Sequence, residues 1–210
     1  MDRPLPERVF YAGKLRVEVY RSQDLLGQAA ALDVGAQIQR ILDAKRLLSI
    51  LLAAAPSQDD LLAALSHLPG IAWKQVVALH MDEYIGLPEG DPQRFGNYLR
   101  DRFFDRVNPG VVHYLDGNAP DLQEECLRYA RLWSQHPPDV VCLGIGENGH
   151  IAFNDPDVAD FQDPAVVKIV DLDERCRQQQ VNDGCFSRIE HVPIQALTIT
   201  VPALMSGDWM

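Results

Sequence analysis

The chain has 210 residues, 47% of them hydrophobic, enough for one sizeable core and too apolar for a fibrous or disordered protein. Its 19 Lys plus Arg against 30 Asp plus Glu leave a formal charge of −11, which repels phosphate backbones and anionic membranes and argues against nucleic acid or a membrane as partner. A small anionic metabolite stays compatible, because a few donors at a helix start outweigh a distant, salt-screened surface charge.

The first twenty residues, MDRPLPERVFYAGKLRVEVY, carry charges throughout and lack an apolar h-region, so a secretory leader is not expected. No apolar run reaches the length of a membrane span, and the expected location is the cytoplasm. Cys126, Cys142, Cys176 and Cys185 form no C-x-x-C pair, and His150 and His191 complete no zinc-ligand spacing with them; reduced thiols are the simpler reading.

Between residues 22 and 45, Leu25, Leu26, Ala29, Ala30, Ile38, Ile41 and Leu42 recur on one stripe and predict an amphipathic helix. The run LLSILLAAA at 47–55 is short and apolar and predicts a buried strand. A helix is expected over 57–65, where Ser57 and Asp60 have the spacing of a capping box. VVALHM at 76–81 predicts the next strand; helices are expected over 95–107 and 121–133, and further strands at VVCLGIG (140–146) and ALTITV (196–201). Strands and helices alternating at this pitch predict an α/β fold: a Rossmann-like, three-layer arrangement with a mostly parallel sheet and helices on both faces. With no repeat and no long Gly/Ser linker, residues 1–210 read as one domain. In such sheets ligands bind beyond the carboxyl ends of the strands, so chemistry is expected just after an apolar run.

Two segments fit that expectation. In ALHMDEYIGLP (78–88), Asp82 falls at or near a strand's carboxyl end; if the strand runs on through Tyr84, His80, Asp82 and Tyr84 share one face. A carboxylate there suits proton abstraction beside a carbonyl, and a capping role in the loop is the plain alternative. In VVCLGIGENGHIAFNDP (140–156), a strand runs into Gly144, Gly146 and Gly149 and then presents His150, with Glu147 and Asp155 near enough to orient or charge it. An imidazole so placed suits acid–base chemistry, although a lone histidine is more often structural.

The two segments together, HMDEYIGLP and GENGHIAFNDP in this order and separation, resemble those of the glucosamine-6-phosphate deaminases (isomerases), and the likeness extends over LDGNAPDLQEEC (115–126) and VPIQALTITVPAL (192–204). The related 6-phosphogluconolactonases are less similar, since they usually lack the continuation seen at Ala152 to Pro156. What the resemblance implies is a cofactor-free and metal-free aldose–ketose isomerase and deaminase of amino sugar catabolism. It would open the ring of a small sugar phosphate, shift a proton between C1 and C2, and release ammonia to give fructose-6-phosphate. By the same resemblance Asp82 is the base, His150 the ring-opening acid, and Asn148 and Asp155 tune the histidine, with Asp155 one methylene shorter than the family's usual Glu. Arg175, in DLDERCR, matches the arginine that grips the phosphate. Gly149 and Ser57 complete the expected binding set.

Two departures stand out. The family's Gly-rich phosphate loop is replaced by Ala54-Ala55-Pro56-Ser57, which leaves Ser57 and the helix start behind it as phosphate donors. Relatives also continue past ALTITVPAL with a strand and helices, whereas this sequence stops at SGDWM, so an exposed sheet edge is expected there. Two competing readings follow: a lactonase-like hydrolase in which His150 activates water, and a sugar-phosphate-binding protein without turnover. The oligomeric state is open, a homo-oligomer included.

Overall fold

The computed structural model describes residues 2–210. A hairpin, β1 (Arg8–Ala12) and β2 (Leu15–Val19), lies mostly exposed at the surface. Helix α1 (Gln23–Ala44) follows, its first turn capped by Ser22, whose side chain accepts a hydrogen bond from the Leu25 amide. The centre is a four-stranded parallel sheet in the order β6-β4-β3-β7: β3 is Leu48–Leu52, β4 Val76–His80, β6 Val111–His113 and β7 Val140–Cys142.

Period two sorts the central strands onto two cores. Leu48, Ile50 and Leu52 of β3 and Val76 and Ala78 of β4 join Val34 and Ile38 of α1 and Leu61, Leu62 and Leu65 of α2 (Asp59–Ser66) on one face. Leu51 of β3 and Val77 and Leu79 of β4 pack on Cys126, Tyr129 and Trp133 of α5 (Leu122–Gln135) on the other. This is the predicted α/β layering, with both faces of a parallel sheet covered.

The helix expected over 95–107 forms as one continuous run, α3 (Phe95–Leu99), a π-helical turn at Arg100–Phe104, and α4 (Asp105–Val107), ended by Asn108 in the left-handed region at φ 50°. In α5 the cap is Asp121, whose carboxylate accepts from the Gln123 and Glu124 amides, both at 3.0 Å. Asp121→Ala is expected to cost about 1 kcal/mol and to lower Tm by about 2–4 °C, read by thermal denaturation; an unchanged Tm would remove the cap from the account.

Three expectations need correction. The Ser57–Asp60 capping box does not form, because Pro56 opens a 3-10 turn (Pro56–Gln58) and α2 begins after it; Gln58 occupies the cap without a side-chain bond. The apolar run at 196–201 is β9 (Gln195–Ile199), and it is antiparallel: it pairs with β5 (Asp82–Tyr84) and with β8 (Val167–Asp171) in a second, three-stranded sheet. Burial on both faces makes an antiparallel strand read like a parallel one, so the sequence pattern is silent on direction. The strand at 76–84 is not continuous; it breaks at Met81, with Val76–His80 in the parallel sheet and Asp82–Tyr84 in the antiparallel one.

Helix α6 (Glu174–Asn182) joins β8 to the 3-10 turn Ile189–His191, and α7 (Val201–Leu204) follows β9. The expected bare edge beside β7 is partly covered: Trp209 forms a parallel bridge to Val140, its carbonyl accepting from the Val141 amide and its own amide donating to the Asp139 carbonyl. Among the described residues no helix is long and apolar enough to cross a membrane.

Candidate active site

Three segments leave the carboxyl ends of adjacent parallel strands and meet around a cavity of about 490 Å³. Ala53 to Ser57 follow β3, Met81 and Asp82 follow β4, and Gly144 to Glu147 with His150 follow β7; Phe95, Phe153, Gln179, Gln180 and Asp183 complete much of the wall. From β3 the chain builds β4 and then β6 on one side and later returns to add β7 on the other, and such a reversal opens a crevice at the strand ends. Asp82 and His150, far apart in sequence, therefore face one space.

Asp82 is placed by the break in its strand. The fully buried His80 spans that break: its Nδ1–H donates to the Asp82 carbonyl at 2.9 Å and its Nε2 accepts from the Leu115 amide at 2.9 Å, which sets the tautomer. The Tyr129 hydroxyl accepts from the His80 amide and donates to the His80 carbonyl. Burial, and then the charge of Glu83, push the Asp82 carboxyl well above the usual carboxylate range. Glu83 turns the other way, where it accepts from the Tyr84, Phe95 and Gly96 amides and anchors the start of α3; burial raises its pKa to about 7 against those bonds and Arg94.

Burial lowers the pKa of His80 to about 4. An unfolded His80 takes up a proton near 6.5, whereas the folded one refuses it until about 4, so the fold loses stability as pH falls through that window. The full effect is about 3 kcal/mol. Glu83, whose pKa is raised, acts with the opposite sign, so the comparison with His80→Gln isolates the histidine. Chemical denaturation of both proteins from pH 7 to 4 is expected to show the acid-side loss smaller in the variant; parallel curves would contradict a neutral, buried His80.

His150 sits in a tight turn. The Gly149 amide donates to the Gly146 carbonyl and the Gly146 amide to the His150 carbonyl, and Gly149 takes φ +87°, which suits glycine. The imidazole lies so close over Gly146 that a Cβ there would overlap Cε1, Nε2 and Nδ1. Nδ1 faces only acceptors, the Asn148 Oδ1 at 2.7 Å and the Asp155 Oδ1 at 3.2 Å, so it carries the proton and leaves Nε2 for the cavity. Asn148 Nδ2 donates to the same Asp155 oxygen at 2.9 Å. Burial tends to raise the Asp155 carboxyl, but the bonds from His150 and Asn148 outweigh it and hold it below the usual range. The short acid leaves Asn148 as the nearer partner of the ring. Downstream, Ala152 at φ 50° and the bond from the Phe153 amide to Thr198 Oγ1 tie the turn to β9.

The remaining expected residues divide. Ser57 lines the cavity beside Gly144, at the 3-10 turn that leads into α2. Gly149 shapes the turn without lining the cavity. Arg175 does not reach it; it lines a neighbouring cavity of about 310 Å³ with Asn148 and Cys176. Glu147 and Gln179 line both spaces, and the Glu147 amide donates to Gln179 Oε1 at 3.2 Å between them. Sequence reasoning passed over Gln179, Gln180 and Asp183 because α6 is polar almost throughout and shows no apolar stripe.

The chain is similar to known proteins in sequence and in fold. Residues 21–206 match a family described as glucosamine-6-phosphate isomerases/6-phosphogluconolactonase. Over 132 residues, 63% of this chain and 50% of the relative, the sequence is 40% identical to a glucosamine-6-phosphate deaminase of Exiguobacterium sp.. Over 133 residues, 63% and 49% of the two chains, it is 36% identical to a glucosamine-6-phosphate deaminase of Bacillus cereus. The chain spans about half the length of the curated relatives it matches. A solved monomeric glucosamine-6-phosphate deaminase superimposes with a TM-score of 0.80 at 30% identity, over 89% of this chain and 76% of that one. The 6-phosphogluconolactonase of Trypanosoma brucei, at 16% identity and a TM-score of 0.72 over 89% and 76% of the two chains, shares the fold.

Proposed function

Because the chain belongs to the family of glucosamine-6-phosphate isomerases and 6-phosphogluconolactonases, we propose that its site carries out aldose–ketose isomerisation and deamination of glucosamine-6-phosphate or a close amino sugar phosphate. The observation that carries this reading is that Asp82 and His150 line one cavity at the strand ends.

His150, with Nδ1 held by Asn148 and Asp155, takes the proton of the anomeric hydroxyl at Nε2 and passes it to the ring oxygen as the bond from C1 to that oxygen breaks, which opens the sugar. Asp82 then takes the proton from C2 while the C1 oxygen takes one from the neighbouring ammonium group, giving an enaminol, and Asp82 returns its proton to C1. The C2 iminium that results adds water and loses ammonia, which leaves fructose-6-phosphate. The Asp82 carboxyl, held well above its ordinary range, is the stronger base for it, since proton transfer works best with a pKa near the working pH. The phosphate belongs at the Ser57 end, where the 3-10 turn at Pro56–Gln58 runs into α2; Asp82, Glu147 and Asp183 make the rest of the wall acidic, which suits the substrate's amino group. Arg175, which lines the neighbouring cavity, stands outside this assignment, and Gly149 holds the turn that carries His150.

The test is turnover by the chain as given, with glucosamine-6-phosphate and 6-phosphogluconolactone assayed side by side. Ammonia and fructose-6-phosphate in equal amounts are expected from the first, with no lactone hydrolysis above the uncatalysed rate. Lactone hydrolysis without ammonia would move the chain to the other branch of the family. Thermal stabilisation by the sugar phosphate without turnover would make it a binding protein.

A further inference from the structure

Behind His150 the polar cluster ends in a thiol. His150, Asp155 and Cys176 each present one ligand atom, an imidazole nitrogen, a carboxylate oxygen and Sγ, and these lie within 4.8 Å of one another. Asp155 is 2% exposed; its Oδ1 is taken by His150 and Asn148, while its Oδ2 is buried without a well-aligned donor, its carboxylate lying beside the Cys176 thiol and the Asp173 backbone. A thiol is a weak donor for a dry carboxylate oxygen, and a cation held between the two satisfies both better. We propose that His150, Asp155 and Cys176 form an inhibitory site for a thiophilic divalent cation of the Zn²⁺ type.

The donor set selects the ion. Nitrogen, oxygen and sulfur together suit Zn²⁺, whereas Mg²⁺ and Ca²⁺ take oxygen ligands almost exclusively. Metal–ligand bonds of about 2.0–2.3 Å put tetrahedral neighbours roughly 3.3–3.7 Å apart, so the trio closes by about 1 Å, within reach of side-chain rotation. The cavity lined by Asn148, Arg175 and Cys176 supplies the route and leaves the fourth position to water. On binding, the S–H bond of Cys176 and the Nδ1–H bond of His150 break; the thiol proton goes to solvent, the imidazole loses its Nδ1 proton and takes one up at Nε2, and the freed electron pairs of sulfur and Nδ1 go to the metal. Burial, and then the charges of Asp155, Asp82 and Asp173, hold this thiol well above its ordinary pKa; a dication inside the same acidic cluster reverses that field. The bound ion takes His150 and Asp155 out of use and so stops the proposed ring opening. That consequence rests on the proposed function, whereas the binding does not.

Other metal-binding candidates set the controls: Cys185, which is half-buried, and the stacked imidazoles of His113 and His136, with ring centroids 5.4 Å apart. Co²⁺ is the optical probe, through its thiolate charge-transfer absorption, and Zn²⁺ is titrated by calorimetry. The full chain is expected to bind one ion with that absorption. Cys176→Ala loses the band and weakens Zn²⁺ binding roughly tenfold or more, while Cys185→Ala and His136→Ala bind like the parent. Unchanged binding in Cys176→Ala, or a loss that follows Cys185 or His136, overturns the site. If Cys176→Ala does not fold, Asp155→Asn decides: a retained band overturns the proposal and a lost band supports it. Zn²⁺ is also expected to suppress ammonia release reversibly on chelation. A chain that binds Zn²⁺ through Cys176 but releases no ammonia without it sinks the proposed function alone.

Discussion

Asp82→Asn is expected to lower ammonia release from glucosamine-6-phosphate by roughly 10²–10⁴-fold, the usual cost of removing a proton-transfer group. The exchange keeps the shape of the side chain and removes its basicity. No protein donor among the described residues contributes to the Asp82 carboxyl, whose shift comes from burial and from Glu83, so the asparagine breaks no hydrogen bond of the fold. Stability is therefore retained in Asp82→Asn, and the loss falls on kcat with little change in KM, as for a group that works only in the transition state. The raised pKa adds a second signature: the acid limb of kcat/KM in the parent lies well above the range of an ordinary aspartate. Near-normal turnover in Asp82→Asn would move the base elsewhere.

The second large effect comes from a residue with no chemistry of its own. A Cβ added at Gly146 would occupy the space of the His150 imidazole, whose ring must then turn away from Asn148 and Asp155. A displacement of about 1 Å at a reacting group costs on the order of 100-fold, and Gly146→Ala is expected to lose that much in ammonia release while melting close to the parent. Gly149 offers the contrast: an added Cβ there meets nothing within 4 Å, but the backbone is at φ +87°. Gly149→Ala accordingly shows its cost in thermal stability, about 1 kcal/mol. Equal activity in Gly146→Ala and the parent would show that the position of the ring does not matter.

The parts of the fold legible in the sequence are those where local signals and tertiary demand agree. Ser22 and Asp121 mark helix starts with side chains that do cap, and the apolar runs at Leu48–Leu52, Val76–His80 and Val140–Cys142 become the parallel strands. The break at Met81 is invisible locally, because Val76 to Tyr84 is buried throughout and carries no glycine or proline to mark the change of sheet. The hairpin of β1 and β2 leaves little trace in the sequence, since both strands are exposed and only LRVEV of β2 alternates charged and apolar residues. In the site, glycines after a strand pointed to the turn of His150, and the family likeness pointed to Asn148 and Asp155. Nothing local could show that Arg175 opens into a different cavity from Asp82, or that Cys176 comes back beside His150, since both depend on how α6 crosses the strand ends.

The central claim is geometric: one substrate touches Asp82 and His150 at once. Reducing the aldehyde of glucosamine-6-phosphate gives an open-chain amino alcohol that cannot isomerise, and a crystal structure with it bound tests the claim directly. C1 and C2 are expected within reach of Asp82, the C5 hydroxyl about 2.6–3.2 Å from His150 Nε2, and the phosphate at Ser57. The compound seated elsewhere, as in the groove between α1 and α2 lined by Leu32, Gln39 and His67, or touching only one of the two side chains, would contradict the account.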